Sequence, residues 1–203
     1  MKRGWMQFWR SGSVLLLICV SAQAQLREAS STSRANPNAV DTHRNDELTL
    51  AGLRPGRDAM TKALRLFTKA PAIGDGGASR TWRDECRHEI LTIIADASGT
   101  ILEIRVAESS LDSKRGCANP TANRWVTGHG LVVGDSCSRV LALYGQPGSR
   151  GPSTKGGQQL ELFYYAFDWA GPDVPQVMTV LCTPDKEEKP GRVVEITLAA
   201  PSL

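Results

Sequence analysis

The chain has 203 residues, with 24 Lys and Arg against 21 Asp and Glu and 41 % hydrophobic residues. Three of the cations, Lys2, Arg3 and Arg10, stand in the first ten positions, so the remainder balances at 21 against 21. That balance, with no Lys/Arg-rich block and no RNA-binding aromatic motif, excludes a basic nucleic-acid surface as the source of the net charge.

After those cations come an apolar run from Val14 to Val20 and the small-x-small triplet Ala22-Gln23-Ala24. This is the layout of a secretory signal peptide over residues 1–24, with cleavage before Gln25. The run is far short of the roughly 20 apolar residues that span a bilayer. Cys19 follows Ile18, where a lipid-attachment signal wants something small, so neither a transmembrane nor a lipid anchor is expected. The protein is therefore expected in the periplasm or outside the cell. Residues 25–47 are polar and almost without large apolar side chains, which predicts a flexible leader with His43 solvated.

Without Cys19, four cysteines remain: Cys86, Cys117, Cys137 and Cys182. An even number in an exported chain favours disulfides, and no pair has the two-residue gap of a zinc knuckle. No metal and no cofactor are expected.

From Leu48 onward the chain compares well with itself. LAGLRPGRDAMTKALRLFTKAP, from Leu50, and TGHGLVVGDSCSRVLALYGQP, from Thr127, both read Gly-Leu-x-x-Gly, a polar capping residue, a short apolar-periodic helix ending in an aromatic, and a proline. Gly52 and Gly56 match Gly130 and Gly134, and Asp58 falls opposite Ser136, with one residue inserted early in the first helix. Glu89–Glu108 and Gln176–Ala200 each read as two alternating β-branched segments around a polar turn, an antiparallel hairpin. Further strands are predicted at Ala78–Arg83 and Leu160–Phe167. The fold class is therefore α+β: two tandem repeats, 48–108 and 127–200 joined by a linker at 109–126, each a short helical segment packed on three to four antiparallel strands.

The run Gly-x-x-x-Gly-x-Ser-x-x-x-Val-x-x-x-Tyr-Gly-x-Pro, from Gly130 to Pro147, followed by an aromatic strand and a hairpin, resembles the SmpA/OmlA-type repeat. Doubled in one exported chain, it is similar to the β-lactamase-inhibitor-protein-like fold. The resemblance implies small helices on one face of an antiparallel sheet whose other face can meet a protein partner, and it carries no catalytic residues. The first copy departs from the pattern at Thr68, where the glycine after the aromatic should stand.

Gly134-Asp135-Ser136 also looks like the start of a serine hydrolase motif. A serine hydroxyl needs an oriented base, and no histidine follows His129 anywhere in the chain. Ser136 sits instead where a helix N-cap belongs, and no catalytic residue is expected. Cys137 lies three before Val140 and seven before Tyr144, on the buried side of that helix, while Met178, Val180 and Cys182 share one strand face. A Cys137–Cys182 bond is thus predicted, opposite Met60 and Ala95 in the first copy, which leaves Cys86 with Cys117. His88 and His129 read as solvated strand-edge and loop residues.

In Leu160–Phe167, Leu162, Tyr164 and Ala166 take one face and Phe163, Tyr165 and Phe167 the other, with Trp169 just beyond. A strand apolar on both faces has its second face covered. The cover is either this chain, or a partner contacting Phe163, Tyr165, Phe167 and Trp169. The expected function is a non-enzymatic protein-binding or scaffolding module of the bacterial envelope or exterior, working through its sheet face. The alternatives are a periplasmic enzyme or small-molecule binder with a site between the repeats, and an outer-membrane assembly component.

Overall fold

The structure, a computed structural model, describes residues 46–74, 77–109, 125–167, 176–185 and 190–200. It is a mixed α+β fold. In chain order come helix α1 (Met60–Leu66) and strands β1 (Ala72–Ile73), β2 (Ser79–Asp84), β3 (Glu89–Ala95) and β4 (Ile101–Glu108). Helix α2 (Cys137–Tyr144) follows, then β5 (Ser149–Lys155), β6 (Gln158–Phe167), β7 (Gln176–Cys182) and β8 (Val193–Ala199). The eight strands form one antiparallel sheet in the order β1-β2-β3-β4-β8-β7-β6-β5. β4 and β8 meet in the middle, with Val106 opposite Ile196 and Ile104 opposite Leu198.

Alternation decides which face each strand buries. In β3 and β7 every second residue is buried, so Leu91, Ile93, Met178 and Val180 point to one side while Thr92 and Thr179 point to the other. The buried side takes α1 through Ala63 and α2 through Cys137, Val140 and Tyr144, and these join the strand residues in one core cluster. Tyr144 packs at 5.8 Å from Tyr165 and 6.3 Å from Phe167, ring centroid to centroid.

Both helices are led in by backbone bonds to the turn of a hairpin. The Met60 amide donates to the Gly99 carbonyl at 2.8 Å, and the Cys137 amide to the Gly191 carbonyl at 2.9 Å. Gly56 donates to Ile101 and Gly134 to Val193, whose own amides return to the Asp58 and Asp135 carbonyls. The register of both hairpins shifts at one step, between Ile94 and Ala95 and between Leu181 and Cys182.

The caps differ. Ser136 Oγ accepts from the Arg139 amide at 3.3 Å. The residue at the start of α1 is Ala59, which offers no side-chain cap. Asp58, expected there, instead accepts from the Arg54 amide at 2.7 Å and pairs with Lys62.

Two strands escaped the sequence pattern, and both lie at the edges. β1 is two exposed residues, and β5 carries Gly151 and Pro152 within a mostly exposed run. An edge strand needs neither a buried face nor every ladder N–H, so it shows no alternation and tolerates proline.

Candidate functional site

The residues with reactive side chains serve the fold. Ser136 is a cap, and its hydroxyl touches Ser138 Oγ at 2.9 Å. Cys137 and Cys182 are disulfide-bonded, with Cα atoms 6.1 Å apart across 45 residues of chain. Such a closure typically contributes about 2–4 kcal/mol and is at home in an oxidising compartment. Cys86 is in a second disulfide; Cys117 lies outside the described residues. Among the described residues no three His, Cys, Asp or Glu side chains gather as metal ligands, and no helix is long and apolar enough to cross a membrane. His129 Nε2 lies 3.0 Å from the Asp46 carbonyl, and its ring meets Tyr144 edge-on at 5.8 Å.

The aromatic set of β6 belongs to the core. Phe163, Tyr165 and Phe167 are 1 %, 0 % and 2 % exposed, so the cover over that face is this chain and the three cannot form a partner patch. Tyr165 donates to the Gly145 carbonyl just beyond α2 at 3.1 Å. Trp169 lies outside the described residues. The sequence showed that the second face must be covered; the cover is α2, whose Tyr144 reaches across it.

The opposite face carries no helix among the described residues. One register row runs straight across it: Thr81 opposite Thr92, Thr92 opposite Arg105, Arg105 opposite Thr197, Thr197 opposite Thr179, and Thr179 opposite Tyr164. Six strands at the usual spacing make this band about 24 Å long. Every member is half-buried, and the Thr81 and Thr92 hydroxyls stand 3.5 Å apart. Four of its six members are threonines, and Arg105 and Tyr164 are the two long side chains. The rows on either side are largely aliphatic, with Ile90, Leu181 and Leu162 on one and Ile94, Ala199 and Val177 on the other. Four charged side chains there pair: Glu195 with Lys155, Glu195 at 3.8 Å from Arg105 Nε, and Arg105 with Glu103. The face thus mixes aliphatic and threonine side chains with paired charges, and Arg83 stands exposed at its β2 end opposite Ile90.

A site that the sequence reading missed lies at Glu47, placed by that reading in the leader. Its side chain is 1 % exposed. Oε1 accepts from the amides of Leu48, Thr49 and Gly128 at 2.9–3.0 Å, and Oε2 from the His129 amide at 3.1 Å and the Tyr144 hydroxyl at 2.7 Å. Tyr144 also meets Thr127 Oγ1 at 2.8 Å. Burial, and the Glu47 carboxylate after it, push the Tyr144 phenol well above its ordinary range. Gly128 leaves room for this: a Cβ there would stand 2.6 Å from Glu47 Oε1. The cluster is a latch joining residues 46–49 to the loop before α2. Only Gly128, a small residue beside a glycine-flanked histidine, hinted at it.

A cavity of about 440 Å³ opens beside the disulfide, lined by Cys137, Leu141, Phe163, Arg150, Glu161 and Asp185 among others. Arg150 lies over the Phe163 ring at 4.9 Å and is held by both oxygens of Glu161. Two of its charged lining side chains are thus paired with each other, while Asp185 Oδ1 accepts from the Gly191 amide at 2.5 Å, and the cavity lies within 137–191.

No protein-family model matches the chain, and no curated protein matches it. Two solved structures are similar in outline. A DUF4309 family protein (YjgB) from Bacillus subtilis is 12 % identical, with 74 % of this chain and 83 % of that one covered and a TM-score of 0.45. A cysteine-rich secretory protein from Staphylococcus aureus is 8 % identical, with 70 % of this chain and 43 % of that one covered and a TM-score of 0.33.

Proposed function

We propose that the protein is a non-enzymatic binding or scaffolding module of the bacterial envelope or exterior, which docks a protein partner on the sheet face opposite its helices. The observation that carries this reading is the threonine-centred band from Thr81 to Tyr164, which carries no helix among the described residues and is flanked by half-buried, largely aliphatic rows. A surface of interspersed apolar and short polar groups is compatible with a non-obligate interface, which is about as apolar as the rest of a protein's surface.

The same reading takes the chain as a duplicated helix-plus-four-strand unit of the SmpA/OmlA type, arranged like the β-lactamase-inhibitor-protein-like fold. Supporting it, the backbone bonds around Met60, Gly99 and Ile101 reappear around Cys137, Gly191 and Val193. The bridges Ala59–Thr100 and Ser136–Arg192 and the two register shifts fall at matching steps. On that alignment the extra residue of the first copy is Arg57, in the turn before α1 and not within it. Export through a signal peptide at 1–24 fits the Cys137–Cys182 bond.

Photoreactive side chains at Thr179 or Thr197, set against one at the exposed Ser138 on α2, test the docking face. In envelope extract, discrete adducts are expected from the two threonine positions and none from Ser138. Equal adducts at all three, or none at any, overturn the reading.

A further inference from the structure

Exposed apolar side chains are not scattered over the described surface. The large ones are Leu64, Leu66 and Ile73, at 44 %, 41 % and 69 % exposure, and all three fall within ten residues of one another. The stretch that holds them, residues 54–73, carries five Lys or Arg and one acid in a chain otherwise balanced in charge. The clustering is spatial as well as sequential. Ile73 stands opposite Arg80 in the β1–β2 pair, and the Lys69 carbonyl accepts from Trp82 Nε1 at 3.0 Å, which holds the end of α1 against the same sheet edge. Phe67 packs edge-on against Trp82 at 5.2 Å and anchors the segment from beneath.

Arg65 and Lys69 are exposed, and Lys62 and Arg80 half-exposed. Lys62 has Asp58 at 2.7 Å. Arg65 reaches only the Thr61 carbonyl of its own helix, Arg80 only the carbonyls of Gly77 and Ser79, and Lys69 meets no carboxylate among the described residues. Around α1, Leu64 and Leu66 flank a central stripe of Arg65 and Lys62, while Ala63 faces the core. A small soluble anion would match the charge and leave the leucines and Ile73 in water. A lipid headgroup layer takes both: the apolar tips enter the headgroup boundary and the long cationic stems reach phosphate.

From this coincidence of unpaired cations with the exposed apolar residues, we propose that the α1–β1 edge is an interfacial patch that seats the protein on anionic lipid. The patch lies at one end of the sheet, on the helix side, and does not depend on the docking reading of the opposite face. A protein held by both surfaces would present its threonine band to a partner while resting on a membrane.

The exported chain, from Gln25 on and with its disulfides intact, is sedimented with vesicles of equal phosphatidylglycerol and phosphatidylcholine, and with phosphatidylcholine alone. Co-sedimentation is expected only with the anionic vesicles. Replacing Arg65, Lys69 and Arg80 together by Ser is expected to weaken it about tenfold or more, and Ile73→Ser alone, in the exposed edge strand, severalfold. Ile73→Ser removes no buried contact, so it remains informative if the triple variant folds poorly, which melting curves report. No binding to anionic vesicles overturns the proposal. So does binding that ignores Ile73→Ser and is fully displaced by soluble polyphosphate, since that describes an anion site and not a lipid seat.

Discussion

Glu47 gathers four backbone amides and one phenol around a single buried carboxylate. Hydrogen bonds to a charged acceptor are the stronger kind, and donors left buried without one cost about 1–3 kcal/mol each. Glu47→Ala is accordingly expected to destabilise by about 3 kcal/mol or more in urea unfolding, and Glu47→Gln by less; a change below about 0.5 kcal/mol for Ala would show that the latch is ornamental. Tyr144 adds a pH dependence. Its folded-state pKa is raised, by burial first, while the unfolded phenol ionises near about 10. Below that pH its contribution is complete, and it is lost as pH rises further, because only the unfolded state then releases the proton. The alkaline fall in melting temperature should be shallower in Tyr144→Phe than in the wild type, each normalised to its neutral value. These roles were not legible in the sequence, since Glu47 closes its bonds 81 and 82 residues away.

At the scale of elements, periodicity read well wherever one face is buried. β3, β4, β6, β7, β8 and α2 were all legible, because alternation or 3.6-residue spacing records the core side directly. The inward turn of Cys137 and Cys182 followed from the same rule. Edge strands β1 and β5 left no such record. The capping difference between the helices yields a paired prediction. Ser136→Ala removes the bond to Arg139 and is expected to cost about 1 kcal/mol, whereas Ala59→Ser, at an exposed uncapped start, is expected to gain up to about 1 kcal/mol. Thermal melts of the two variants check the signs; a loss on Ala59→Ser would mean that the extended backbone there cannot aim the new hydroxyl at the first turn.

For the whole molecule, the seam between β4 and β8 turns two small sheets into one. Each half is small for a core of its own, and Ile104, Val106, Ile196 and Leu198, all fully buried, sit on the seam. Unfolding should therefore be a single cooperative transition, coincident by tryptophan fluorescence and circular dichroism. Ile196→Ala is expected to lower stability by about 2–5 kcal/mol while keeping the two probes together. Separate transitions for the two probes would show halves that fold alone. The sheet also sorts the surface among the described residues: both helices take one face, and the threonine band lies on the other.

Residue order alone determined the α+β class, most strands, the α2 cap and the facing of Cys137 and Cys182, because each is written in local spacing or composition. Which of two apolar strand faces meets the helices is not local. Phe163, Tyr165 and Phe167 alternate with Leu162, Tyr164 and Ala166 in a way that fits either side, and only the placement of α2 over the sheet buried the first set. The same placement left Tyr164 in the open band. It took contacts across the whole chain to make Glu47 part of the fold and to gather Leu64, Leu66 and Ile73 with Lys69 and Arg80 at one edge.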